Sequence, residues 1–293
     1  MMLGARTGAW AKSGSPTPAY GGLCFTAEAD NSSVQLTAVG SAPPTVTLVK
    51  SFDGVNWEAY AVGEVIDLPS TGDCVYLAAG EGGNNTFGSS LSAYHNFVIN
   101  GLVAASGDIT SIRRFDLEQT TLDKYCYISM FKGCTGLTSA PELPATTLAS
   151  NCYRYMFDGC TGLTSAPELP ATTLAPACYR YMFRDCTGLT SAPELPATTL
   201  TSSCYHSMFD GCTGLTSAPE LPATTLESSC YALMFNGCTN LSLIKVHFIA
   251  WGDQTSSWVS NIKSTGTFYK PTALPEEYGE NRIPTGWTVV NID

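Results

Sequence analysis

Positive charge is what this chain most lacks. Its 14 Lys and Arg stand against 25 Asp and Glu, a formal net charge of -11, and no Lys/Arg-rich run occurs. Nucleic acid and anionic membrane surfaces both require concentrated basic charge, so neither is expected as a partner. Charged residues of both signs reach only 13% of the chain, about half the usual share. No stretch approaches the roughly eighteen consecutive apolar residues of a membrane-spanning helix, so membrane insertion is not expected. The opening "MMLGARTGAWAKSGSPTPAYGG" lacks the apolar run of a secretory signal. Histidine occurs only at His95, His206 and His247, and no two cysteines have CxxC spacing. Neither a metal site nor a cofactor is therefore expected. No serine stands in a "GxSxG" setting, and no "GKS" or "GKT" follows the glycine-rich stretch. A catalytic centre needs an unlike, preorganised cluster, whereas the carboxylates here recur as a ladder. The expectation is a protein that is not an enzyme and has no catalytic residue.

What the chain has in abundance is repetition. "ATTLASNCYRYMFDGCTGLTSAPELP" at 145–170 returns in near copies, carrying paired cysteines at Cys126 and Cys134, Cys152 and Cys160, Cys178 and Cys186, Cys204 and Cys212, and Cys230 and Cys238. Five units at a fixed period of 26 residues predict a solenoid, in which each unit buries its apolar side against its neighbours. Within a unit, "CYRYMF" from Cys152 to Phe157 predicts a short helical turn, because Cys152, Met156 and Cys160 stand at i, i+4 and i+8 on one face. "GLTSAPELP" predicts a short extended stretch from Leu163 to Ala166, halted by Pro167 and Pro170, which remove ladder donors. The core set is then Cys, Met, Phe, Cys, Leu, Ala, Leu and Leu once per unit. Asp158 is replaced by Arg184, Asp210 and Asn236 in later units, which marks that position as an outer side. Eight helical residues would part the two Cα atoms of a unit's cysteines by about 12 Å, too far for a bridge. Five members per column leave at least one unpaired, so the ten cysteines are expected as a structural ladder of reduced, buried thiols.

The unvarying polar positions give the candidate contact ridge: Glu142, Glu168, Glu194 and Glu220, with Thr138 and Ser139, Thr164 and Ser165, Thr190 and Ser191, and Thr216 and Ser217. Such a ridge serves either as a screened, solubilising face or as a docking strip suited to a glycan or protein.

The phrase "YMFDGCTGLTSAPELP" at 155–170 resembles the BspA-like leucine-rich repeats of bacterial surface proteins and of viruses of gut bacteria, with the likeness running from about Thr121 to Val246. The closing "STGTFYKPTALPEEYGENRIPTGWTVVN" looks like a tail found behind such arrays. The resemblance implies a leucine-rich-repeat solenoid of five units; with an N-terminal all-β, sandwich-like domain and a C-terminal cap read from the flanking residues, the fold class expected is α+β with a solenoid. The resemblance also implies adhesion, host contact or surface display, at a virion or extracellular surface, with no catalytic residue.

The flanks differ in texture from the array. "SVQLTAV", "TVTLVKSF", "WEAYAVG", "EVIDL", "CVYLAAG" and "NFVINGLVAA" predict strands from Gly22 to about Ile112. "SFDGVNWEAYAVGEVIDL" resembles hairpins of Ig-like modules, and Cys24 and Cys74 can be free or bridged. "AAGEGGNNTFGSSLSAY" at 78–94 predicts a surface loop. Behind the array, Trp251, Trp258 and Ile262 are expected over the last apolar layer, and "GWTVVNID" as a final edge strand. The organisation expected is an arm at 1–21, a β-rich domain at 22–115, the solenoid at 116–248 and the cap at 249–293. The functional expectation is a virion-associated or surface display protein that binds a host glycan or protein, as a homo-oligomer or within a larger assembly. The alternative is a purely structural decoration or spacer among other virion proteins, anchored by the β domain.

Overall fold

The computed structural model describes residues 22–80, 85–113 and 121–292. The expected N-terminal arm, the tip of the glycine-rich loop at 81–84 and most of the junction before the first unit lie outside the described residues.

The N-terminal strands follow the alternation that announced them. They are β1 (Leu23–Ala27), β2 (Ser32–Val39), β3 (Leu48–Ser51), β4 (Glu58–Tyr60), β5 (Val65–Leu68), β6 (Cys74–Ala79), β7 (Gly88–Ser90), β8 (Ala93–Asn100) and β9 (Val103–Ser106). In β2 every second residue from Ser32 to Leu36 is buried, the period of a strand with one face on a core. Two sheets form, one ordered β5-β2-β8-β7 and the other ending β9-β1-β6-β3-β4. Phe25 of the second meets Phe97 of the first edge to face at 4.8 Å. The glycine-rich stretch departs from its expected surface loop. Phe87 is fully buried and stacks on Tyr127, and the Asn85 side-chain amide donates to the carbonyls of Thr47 and Ile112. Cys24 and Cys74 are both free.

The array is a solenoid, but it is a β-solenoid and not a leucine-rich-repeat fold, and the BspA-like resemblance is overturned with it. Among the described residues the helical elements are two short 3-10 turns, Ile109–Ile112 and Asp253–Thr255. Where a helix was expected, the backbone runs as a ribbon of overlapping four-residue turns. In the second unit the N–H groups of Cys152, Arg154, Met156, Asp158 and Cys160 each donate to the carbonyl three residues back. The N–H groups between them, those of Tyr153, Tyr155, Phe157 and Gly159, donate to Cys178, Arg180, Met182 and Arg184 of the next coil. Alternate peptide groups thus serve the turn and the stack, and the ribbon's polar backbone is satisfied while it is buried. Every fourth residue takes the left-handed conformation: Asn151, Tyr155 and Gly159 in one coil, Ala177, Tyr181 and Asp185 in the next. A repeat of four residues mimics the helical spacing of Cys152, Met156 and Cys160, which is why the two were confused. Its pattern is two residues in and two out, so Tyr153 and Phe157 also point inward.

The inner columns are stacked side chain on side chain. Tyr127, Tyr153, Tyr179, Tyr205 and Tyr231 form one file with ring centroids 5.8–6.0 Å apart. Phe131, Phe157, Phe183, Phe209 and Phe235 form a second, at 5.4–5.8 Å. Outside the ribbon the prolines reduce the strands to fragments: β10 (Leu137–Ser139), β11 (Glu220–Leu221) and single bridges such as Ser165 with Ser191.

The first coil stacks directly on the sandwich. β10 pairs in parallel with β9, the N–H of Phe97 donates to Met130, and Phe97 stacks on Phe131 at 5.2 Å. Phe97 in β8 thereby stands where a coil's phenylalanine would stand, and one hydrophobic core runs from Leu23 to Trp287.

The expected C-terminal cap is also corrected, because the solenoid continues through it. Residues 254–260 repeat the ribbon, receiving N–H donations from Tyr231, Leu233, Phe235 and Gly237. β12 (Leu243–Val246), β13 (Thr267–Pro271) and β14 (Thr288–Ile292) extend β11 as a parallel sheet. Trp258 is fully buried against Phe235, Phe248 and Phe268. β14 is the edge strand expected from "GWTVVNID", and among the described residues it pairs only with β13.

Candidate functional site

The ladder cysteines lie inside. All ten are free and buried, and the second of each coil has a definite task. The thiols of Cys134, Cys160, Cys186, Cys212 and Cys238 donate, at 2.9–3.1 Å, to the carbonyls of Phe97, Phe131, Phe157, Phe183 and Phe209 in the coil before. Each of the last four carbonyls also accepts the in-coil N–H of a cysteine three residues on, so the thiol fills its second lone pair. A small side chain with a weak donor suits that place. Burial pushes these thiols up, Cys126, Cys134 and Cys230 to about 12 and Cys204 to about 11. They are structural groups, not nucleophiles.

The expected ridge is present only in part. Glu142, Glu168, Glu194 and Glu220 are all exposed, as are Thr164, Ser165, Thr190, Ser191, Thr216 and Ser217. At the N-terminal end the row sinks inward: Ser139 donates its hydroxyl to Ala105, and the Thr138 hydroxyl is buried without a partner. At the other end Glu220 accepts from Lys245 at 2.9 Å and from His247, contacts that hold its carboxyl below the usual range. Glu142, Glu168 and Glu194 make no ion pair among the described residues, unlike Glu220, and they are the carboxylates left to meet a partner. Thr190 turns its hydroxyl to the Thr164 carbonyl of the coil before, at 3.3 Å.

A second surface, on the ribbon, was not anticipated. Tyr155 and Tyr181 stack with rings 4.7 Å apart and planes within 2°. Around them stand Lys132, Arg154, Arg180 and Arg184, four of the chain's 14 basic residues on three successive coils. Arg184 grips Asp158 of the previous coil with two bonds, at 2.8 and 2.9 Å, and Lys132 approaches the same carboxylate at 3.3 Å. Asp158 is only 4% exposed. The position lies on the outer side as read, with Arg184, Asp210 and Asn236 half-buried; Asp158 itself is covered by Arg184 and Lys132, and this pairing between coils makes its burial tolerable. Arg154 and Arg180 differ from Arg184. Arg154 lies 5.0 Å over the Tyr155 ring and bonds Asn151 at 3.1 Å, while Arg180 lies 4.9 Å over Tyr181 and bonds its phenol oxygen at 3.1 Å. Neither has a carboxylate in ion-pair contact among the described residues, and both Nε atoms are buried without an acceptor. His206 leans on Tyr181 at 5.4 Å, and burial together with Arg180 and Arg154 pushes it down to about 4, so it adds no charge at neutral pH.

An open concavity of about 340 Å³ beside β3 and β4 is lined by Lys50, Phe52, Asp53, Asn56 and Trp57, among others. Its polar groups are already engaged. Lys50 pairs with Glu58 and Glu64, and Asp53 accepts from the backbone N–H groups of Val55 and Asn56, which hold its carboxyl far below the usual range. No group of ligating side chains suited to a metal ion occurs among the described residues, and no helix there is long and apolar enough to cross a membrane. No protein-family model, curated protein or solved structure matches the chain.

Proposed function

We propose that this chain is a non-enzymatic recognition and display module, which binds a glycan or protein on another surface through its repeated outer residues. One observation carries the reading. A single core joins the sandwich to every coil, so exposed groups such as Thr164, Ser165 and Glu168 recur one rung apart on a frame that does not need ordering upon binding. Weak contacts repeated in this way gain through multivalency when chains are displayed together. Changing Glu168 and Glu194 together to Gln and measuring adhesion to a panel of cells with defined surface glycans tests it. Adhesion of the native chain, reduced in the variant, is expected. Unaltered adhesion removes the acidic ridge, and a native chain that adheres to nothing removes the reading. A spacer or decoration in a larger particle is the second reading. It is favoured by β14, which among the described residues is paired along one edge only, by β13, so that its other edge can take a strand. Self-association or co-assembly through that edge, seen by light scattering, supports it.

A further inference from the structure

We propose that Arg154 and Arg180 form a strip that binds an acidic glycan through its carboxylate or sulfate groups, a site that rests on the recognition reading but lies away from the acidic ridge. The two guanidinium groups belong to adjacent coils and to tyrosines 4.7 Å apart, so one oxyanion, or two along an extended chain, meets both forks. Guanidinium groups favour oxyanions because two parallel N–H bonds match the planar acceptor. What distinguishes this pair is how it is held. Ring faces, the Tyr181 phenol oxygen and the Asn151 amide oxygen fix the side chains. Those partners position a cation without cancelling its charge, as Asp158 does for Arg184. In a protein of net charge -11, two fixed and uncompensated arginines stand out as a locally cationic face.

The geometry also selects among acidic partners. The ribbon's N–H groups are spent in turns and between coils, which leaves no strand edge for a peptide to extend. The exposed large apolar side chains lie elsewhere, as at Phe52, Ile249 and Tyr278, so the face lacks the pocketed anchors of a protein interface. Four basic groups on an acidic chain are too few for a nucleic-acid backbone, whose affinity rests on many phosphate contacts. A flat, hydroxyl-rich polymer with intermittent oxyanions needs none of these features.

The test measures binding of the full chain to immobilised polygalacturonate, which supplies carboxylate, and dextran sulfate, which supplies sulfate, beside neutral dextran and poly-glutamate. Binding to one or both acidic glycans over dextran is expected, and it should weaken as salt is raised from about 0.05 to about 0.5 M. The Arg154→Gln/Arg180→Gln variant should bind about tenfold or more weakly, as charge-assisted bonds are lost. Because both arginines pack on tyrosines, Arg154→Lys/Arg180→Lys serves as the second variant. It keeps the charges and should fall between the other two proteins, since it loses the forks. No preference over dextran, or undiminished binding by the Gln variant, overturns the strip. So does poly-glutamate bound as tightly as the glycans, which would point to an acidic protein. A native chain that adheres to cells but shows no preference for either acidic glycan overturns the strip while leaving the recognition reading in place.

Discussion

If the solenoid is a one-dimensional stack, the phenylalanine file should show it energetically. Phe157 stacks on Phe131 at 5.4 Å and on Phe183 at 5.5 Å, and Phe183 stacks in turn on Phe209 at 5.7 Å. All are fully buried. Replacement by leucine keeps most of the apolar volume and removes the ring. Each parallel, offset ring pair is worth about 0.5–1.5 kcal/mol beyond burial, so Phe157→Leu or Phe183→Leu, losing two pairs, should cost about 1–3 kcal/mol. The adjacent double variant loses three distinct pairs, whereas its two single variants together count four. It should therefore be less damaging than their sum by about one pair, 0.5–1.5 kcal/mol. Phe131→Leu with Phe209→Leu shares no pair and should add within about 0.5 kcal/mol. Urea unfolding followed by far-ultraviolet dichroism and by tryptophan fluorescence measures both sets, and coincident curves validate the two-state treatment. Equal non-additivity in the near and distant pairs would refute coil-by-coil coupling, because it would mean that strain spreads through the whole core.

Two further outcomes follow from the same interior. Stability should fall steeply under alkaline conditions. Below about pH 9 both folded and unfolded thiols keep their protons; above it unfolded thiols ionise while buried ones such as Cys126 and Cys134, pushed up to about 12, do not. Each such thiol then removes up to about 1.4 kcal/mol per pH unit, and a urea midpoint that stayed flat from about pH 8 to 10 would contradict the burial. Glycine positions should also separate by cause. Gly133 has φ 75° with open space around it, so Gly133→Ala should cost about 1 kcal/mol through backbone strain alone. A Cβ at Gly136 would meet the Gly101 carbonyl oxygen at 1.9 Å, so Gly136→Ala should unseat the first coil from the sandwich and lower the melting temperature by clearly more than Gly133→Ala does.

Much of this was legible because repetition is a strong signal. Cysteines at a constant step of 26 announce stacked coils whatever the coil's internal path. The alternation in β2 likewise reported a strand directly. The path inside the coil was hidden, because a four-residue turn repeat places Cys152, Met156 and Cys160 almost as an α-helix would. The left-handed residue it demands is Asn151 in one coil but Ala177 in the next, and Tyr155 beside Ser129 and Ser207; only the third such position keeps a glycine column, Gly133, Gly159, Gly211 and Gly237 broken by Asp185, and a glycine there also reads as a helix end. The tyrosine file went unread although Tyr153 has an identical partner in every coil, a constancy that signals burial as well as the cysteines do. The last coil was disguised by composition: Trp258 replaces a methionine, Val259 a phenylalanine, and Ser257 and Asn261 hold the left-handed positions. The arginine strip went unread although Arg154 and Arg180 stand one 26-residue step apart and become neighbours once the coils stack.

Near-identical coils raise a problem that identical residues cannot solve, namely which coil lies on which. The tyrosine, phenylalanine and cysteine files are indifferent to order, and so are the exposed glutamates. The column Lys132, Asp158, Arg184, Asp210, Asn236 is not. Its native neighbours are Lys132 with Asp158, Asp158 with Arg184, and Asp210 with Asn236 at 2.8 Å. If the second coil were looped out, Lys132 would face Arg184; if the third were, Asp158 would face Asp210. Both place like charges on adjacent rungs about 5 Å apart, partly shielded from water, where repulsion is costly. The variable residues of an otherwise constant repeat therefore carry the information that orders the stack, and Asp158 can be buried because that order supplies its cation.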